Sequence, residues 1–329
     1  MYKKITIGVY LIVTASMFLL FTNSCTKKTD EPLKNDPIIT WANPEDIIYG
    51  TVLSDKQLNA TTDIPGSFVY TPAIGTKLNA GVNQELKVDF TPTDGTLYNS
   101  GSTTVKIYVV PTSGTVTDIE GNVYHTITIG TQTWMIENLM TTKLNDNTAI
   151  ANLTEEYRWD NLNVAIPAYC WYNNDAATYK AKYGALYNWY TVKTGKLAPV
   201  GWHVPTNAEW SILENYLISN GYNYDGTTSE NKIAMALASS LGWRLSDGKG
   251  AVGYPYYPDK RNASGFTALP GGSRYGGEFG SIGYASYWWS SSQYDNSDAI
   301  ERSIHSDRDY VTNYHYGLRD GLSVRCVRD

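Results

Sequence analysis

One short stretch, Gly201-Trp202-His203-Val204-Pro205-Thr206-Asn207-Ala208-Glu209-Trp210, constrains this chain more than any other. Pro205 pushes Val204 away from helical geometry, so the chain enters extended. Thr206 is then placed as an N-cap, and Glu209 three residues on can reach back to the cap's own N–H. Trp210, Leu213 and Leu217 follow at helical spacing and make one apolar face. Gly221 stands where a left-handed residue ends such a helix. His203, with no second histidine or cysteine near it at ligand spacing, is expected to be packed and hydrogen-bonded at this joint rather than to bind metal.

The N-terminus follows a different logic. Lys3 and Lys4 precede an apolar run from Ile5 to Phe21, the pattern of an export leader. Ser24-Cys25 beyond it resembles the lipidation site of a bacterial lipoprotein, which implies a leader at 1–24 and a lipid on Cys25. Polar, proline-bearing residues then make 25–37 a tether. Loss of Lys3 and Lys4 makes the formal charge of −6 more negative still, a balance that argues against a nucleic-acid partner. Cys170 and Cys326 are left as an even pair, either bridged or two buried thiols; an oxidising compartment favours the disulfide. The chain holds 27 Tyr and 10 Trp against 6 Phe, aromatics whose polar tips suit half-exposed surfaces as well as tyrosine-packed cores.

Residues 38–110 read as an all-β module. Ile47-Ile48-Tyr49, Ser67-Phe68-Val69-Tyr70, Leu86-Lys87-Val88-Asp89-Phe90 and Val105-Lys106-Ile107-Tyr108-Val109 are short strand-like runs separated by turn residues. Ile39-Thr40-Trp41-Ala42-Asn43-Pro44 and Phe90-Thr91-Pro92-Thr93-Asp94 resemble a bacterial Ig-like repeat, which implies a sandwich used as a spacer. A hinge is expected at 111–116.

From 117 onward the texture changes. Val123–Ile129 and Gln132–Met135, turned at Gly130, suggest an opening hairpin. Helices are expected at 183–192 and from Ser229 to Gly242, with Ile233, Leu237 and Leu241 inward. Strands are expected at 287–291, 299–304 and 322–327. Trp134-Met135-x-Glu137-Asn138-Leu139, Tyr169-Cys170-Trp171-Tyr172, Tyr183-Gly184-x-Leu186-Tyr187-Asn188-Trp189, Pro199-x-Gly201-Trp202-His203, Tyr287-Trp288-Trp289 and Val324-Arg325-Cys326-Val327 occur in order. Together they resemble the Fibrobacter succinogenes major paralogous domain family over 117–329. That resemblance implies an α+β, C-type lectin-like domain, similar also to sulfatase-modifying domains, with paired terminal strands, two main helices and long loops. The missing cysteine before Pro199, where many members of that family have one, adds to the case for a Cys170–Cys326 pair. The expected fold is therefore an all-β Ig-like sandwich followed by an α+β lectin-like head.

Chemistry is thinly signalled. Formylglycine-generating enzymes need a cysteine pair upstream of the last strand, and no cysteine lies between Cys170 and Cys326. The histidines His125, His203, His305 and His315 accompany no nucleophile motif. His305 and His315 could meet across a hairpin, where solvated cross-strand histidines are the commoner arrangement. Tyr254, Tyr256, Tyr257, Asp259, Arg274 and Tyr275 form a tyrosine-rich loop set suited to recognition. Asp295, Asn296 and Asp298 are the nearest thing to a calcium site, since calcium takes such oxygens; otherwise no cofactor is expected. The expected protein is a non-catalytic, lipid-anchored component of the outer envelope that binds extracellular glycan or protein. The alternative is a structural component packed among other envelope proteins.

Overall fold

The computed structural model describes residues 33–159 and 165–329. The expected leader, Cys25 and the first part of the tether lie outside them. The described chain is mainly β-sheet with a few helices, most of them short. Among the described residues no helix is long and apolar enough to cross a membrane.

The N-terminal module is all-β. Its main sheet runs in the order Ile47–Ile48, Gly101–Val110, Gly81–Pro92, Gly66–Thr71, with the first pair parallel and the others antiparallel. Leu86, Val88 and Phe90 alternate inward while Lys87 and Asp89 pair outside, the period of a half-buried strand. The opposite layer is slight: a two-residue ladder, Ile39–Thr40 with Thr61–Thr62, and irregular segments that carry Leu53, Leu58 and Leu78 into the core.

The strand Gly101–Val110 is what couples this module to the rest. Val105, Ile107 and Val109 face the module's own core. Tyr108 and Val110, together with Ile48 from the neighbouring strand, pack into a core of the head instead. The last residues of this strand are thus covered on both faces, by the module and by the head, which a free-standing spacer would not show. The expected hinge at 111–116 is accordingly not a hinge. Gly114–Thr117 is already a strand paired with Val123–Ile129, and Ser113 donates to the Thr126 carbonyl.

The head holds two five-stranded sheets. In the first, Trp202–His203, Val327–Arg328, Gln132–Met135, Val123–Ile129 and Gly114–Thr117 lie side by side, so the domain's two ends pair. The second runs Glu278–Ile282, Gly271–Tyr275, Ala285–Gln293, Asp298–His305, Thr312–Gly317. Its central strands separate two cores. Tyr287 and Trp289 face a cluster with Tyr124, Leu139, Tyr187 and Trp189. Trp288 and Ile304, on the other face, meet Trp134, Phe266 and the helix Asn207–Ser219.

That helix is built as its capping residues imply. The Thr206 hydroxyl accepts from Glu209 N and the Glu209 carboxylate accepts from Thr206 N at 2.8 Å, a complete capping box. Trp210, Leu213 and Leu217 are buried, and Gly221 has φ +76°. His203 clamps the joint between Glu209 (2.8 Å) and the Asp329 carboxylate (2.6 Å). Burial lowers its pKa, but the two carboxylates outweigh this and the net shift from 6.5 is upward. A raised folded-state pKa stabilises fully below pH 6.5 and is lost as pH rises through the shifted value. Glu209 shifts the other way: burial opposes ionisation, but hydrogen bonds from Thr206 and then His203 win, so its contribution is lost as pH falls below 4.5. The groups are partly exposed, so each effect stays below about 1 kcal/mol after screening. Melting temperature against pH should fall above neutrality, and His203→Gln should flatten that alkaline limb; an unchanged limb would remove His203 from the account.

Several expectations need correction. The second main helix shrinks to one turn, Ala234–Leu237. Its carbonyls are taken by a loop, since Asn262, Ser264 and Ala268 N–H groups donate to Met235, Ala236 and Leu237. The stretch 183–192 is broken at Gly184 (φ +74°) into a strand, Leu186–Tyr187, and a short helix, Trp189–Lys193, capped by Asn188. Cys170 and Cys326 are not bridged; both are buried free thiols. Adjacent residues of a strand point to opposite faces. Leu186 lies with Cys170 in one cluster and Tyr187 lies with Cys326 in another, so this strand separates the thiols. Reductant should leave the melting temperature unchanged, and both thiols should resist alkylation until the chain unfolds. A lower melting temperature on reduction would restore the bridge.

Candidate functional site

The sequence motifs build the core rather than a reactive centre. Asn138 Oδ1 accepts from Trp288 Nε1 (2.9 Å) and from Arg325 Nη2 (3.0 Å), while its amide donates to the Tyr183 carbonyl. The Arg325 guanidinium lies 4.2 Å from the Phe266 ring centre and is wholly enclosed. Trp189 and Trp289 donate to the carbonyls of Ser290 and Tyr187. These particular buried polar tips are thereby paired, as burial demands.

Glu301, Ser303 and His305 form a second polar row on one strand face. Ser303 Oγ lies 3.2 Å from both Glu301 Oε1 and His305 Nε2. Burial pushes Glu301 up to about 8 and His305 down to about 4, which leaves the row uncharged near neutrality. Ser303 is 1% exposed, so no substrate reaches it.

The proposed recognition residues scatter. Arg274 is 1% exposed: its guanidinium donates to the Gly277, Leu153 and Thr154 carbonyls and lies 4.7 Å from the ring centres of Trp159 and Phe279. It pins a loop and is withdrawn as a ligand contact. Tyr275, exposed beside it, packs edge-on against Tyr316. The Asp295 carboxylate is occupied by Ser297 N, Ser297 Oγ and Asp298 N, and Asp298 holds His315 Nδ1 at 2.8 Å. Asp295 and Asp298 are thus engaged within the hairpin turn that also carries the exposed Asn296, and among the described residues no three His, Cys, Asp or Glu side chains are grouped to hold a metal. His305 and His315 do not face each other, because His315 pairs with Ile300.

Tyr254, Tyr256, Tyr257 and Asp259 fare differently. Their loop borders a cavity of ≈ 340 Å³ between the N-terminal module and the head. The module supplies Pro44, Val82, Lys106 and Tyr108; the head supplies Trp243, Leu245, Pro255, Pro258 and Arg261. Asp259 accepts from Asn83 across the gap. Tyr254, Tyr256 and Tyr257 pack on one another, and Tyr256 is 74% exposed at the rim.

Asp46 stands at the seam. Its carboxylate accepts from Ser240 N (3.2 Å), from Ser240 Oγ and from Asn262 Nδ2 (2.9 Å). Burial raises its pKa against these hydrogen bonds. Lys182 and Glu45 add an ion pair at 2.5 Å. At Gly265 (φ +73°) the head loop packs so tightly on the head strand Val123–Ile129 that a Cβ would collide with Ile127, while Tyr108 and Val110 of the module lie at ordinary contact distance, 3.6 Å. Nothing in the local text around Asp46, Tyr108 or Arg261 marks them, since they meet only through the fold.

The geometry defines a two-module, mainly β protein with a ligand-sized cleft at the seam. The family model for the Fibrobacter succinogenes major domain matches residues 127–328, more than half the chain, and the chain belongs to that family. No curated protein and no solved structure is similar enough to match.

Proposed function

We propose that this is a non-catalytic, lipid-anchored envelope protein that holds extracellular saccharide in the cleft between its two modules. The observation carrying this reading is the cleft itself. Its ≈ 340 Å³ falls within the roughly 300–1,000 Å³ range of small-ligand sites, and its walls mix apolar and polar groups from both modules. Apolar side chains stand open at its mouth, Leu245 80% and Val82 45% exposed. The N-terminal module then acts as half of the binding site and not as a spacer. A lectin-like reading of the head draws support from the pairing of its terminal strands, Val327 with Trp134. The leader-like run before Cys25 supports anchoring at the outer membrane.

The test is an oligosaccharide array probed with the full chain and with Val82→Trp, which crowds the mouth from an exposed position. Binding by the parent and its loss in the variant is the expected result. Equal binding by both would move the site elsewhere, and no binding by either would favour a purely structural envelope role.

A further inference from the structure

The cleft carries an electrostatic signature that names its occupant more closely. Lys106 and Arg261 both line it. Among the described residues neither forms an ion pair, and the one hydrogen bond made by the Arg261 guanidinium goes to the Tyr254 carbonyl at 2.9 Å. Burial lowers the Arg261 pKa and Asp46 only partly offsets this, so the guanidinium is desolvated without a full counter-charge. The one carboxylate in the wall, Asp46, has its oxygens occupied by Ser240 and Asn262. Among the lining residues the two cations outnumber the single carboxylate, and Asp259 at the border is engaged by Asn83, in a chain of net charge −6.

Resting on the saccharide reading above, we propose that the cleft takes a carboxylate-bearing sugar, such as a uronic acid at the end of a chain. The planar guanidinium of Arg261 suits a carboxylate bidentately, and Lys106 adds a point charge from the opposite module. Tyr108, Pro44, Pro255 and Pro258 offer flat apolar walls for the ring's C–H faces. An acidic peptide is the competing occupant, because Ile47–Ile48 covers only Val109 and Val110 of one bordering strand and Gly66–Thr71 covers only Lys87–Pro92 of the other, and the hexapeptide arm below decides between the two.

Calorimetric titration of the full chain with trigalacturonate, a neutral galactotriose, inorganic phosphate and a glutamate hexapeptide tests this. Trigalacturonate should bind about tenfold or more tighter than the neutral sugar, the gap closing as salt rises. Arg261→Gln should abolish the preference, and Lys106→Gln, exposed and safe for folding, should reduce it. Equal affinity for neutral and acidic sugars, with Val82→Trp still blocking both, would overturn the charge assignment and leave the cleft reading intact. Tighter binding of phosphate or of the hexapeptide would overturn it in favour of those anions. Failure of every saccharide would remove both readings together.

Discussion

Trp210→Ala should cost about 3–5 kcal/mol, as expected for emptying a large aromatic site in a packed core. Trp210 is 2% exposed, and its ring centre lies 4.7 Å from Trp134 and 5.9 Å from both Phe266 and Trp288. These rings come from the opening hairpin, the capped helix, a loop and a central strand, so one deletion loosens four separate parts of the head. Its indole N–H has no hydrogen-bond partner among the described residues, so the loss is almost purely one of packing. For a domain of this size such a loss lowers the melting temperature by roughly 10 °C. Denaturant unfolding of the full chain measures it directly. A loss under about 1 kcal/mol would show that the site collapses freely and that the cluster is not the continuous core described here.

Asp46→Ala is expected to separate the modules. Asn262 is fully buried, with its second amide hydrogen bonded to Thr267 Oγ1, so losing Asp46 leaves a buried donor without an acceptor. That costs about 1–3 kcal/mol, and the two Ser240 donors add to it at the seam. Asp46→Asn keeps an acceptor oxygen and should retain part of the coupling. Calorimetry should show one transition in the parent and a split or broadened one in the alanine variant. A single unshifted transition would mean that the shared apolar contacts of Ile48, Tyr108 and Val110 hold the modules together unaided.

Local features were legible in the sequence and distant ones were not. Thr206, Glu209, Trp210 and Gly221 belong to one helix and its two ends, and the structure places them as their spacing implies. Four expected strands of the N-terminal module are present for the same reason. The helix expected after Ser229 failed because its carbonyls bond to residues 262–268, a competition that no periodicity reveals. Arg274 reads as a loop residue among glycines, yet pairing of Gly271–Tyr275 with Glu278–Ile282 turns it inward. The strand Gly101–Val110 did carry a signal. Its run Ile107-Tyr108-Val109-Val110 abandons alternation, and unbroken apolar text marks a strand covered on both faces. Of the candidate loop, Pro255 and Pro258 line the cleft while Tyr254, Tyr256, Tyr257 and Asp259 only border it, and Asp46 reaches Asn262 across 216 positions and could not have been paired with it from sequence.

The central claim is that the two modules form one body around a cleft. Pulsed dipolar spectroscopy tests it most directly, with spin labels at Thr93 in the N-terminal module and Lys193 in the head, and Cys25 replaced by serine. Cys170 and Cys326, being buried, should not take the label. A single narrow distance distribution that broadens in Asp46→Ala is the result this account requires. A broad distribution in the parent chain would show a spacer swinging on a hinge and would contradict it.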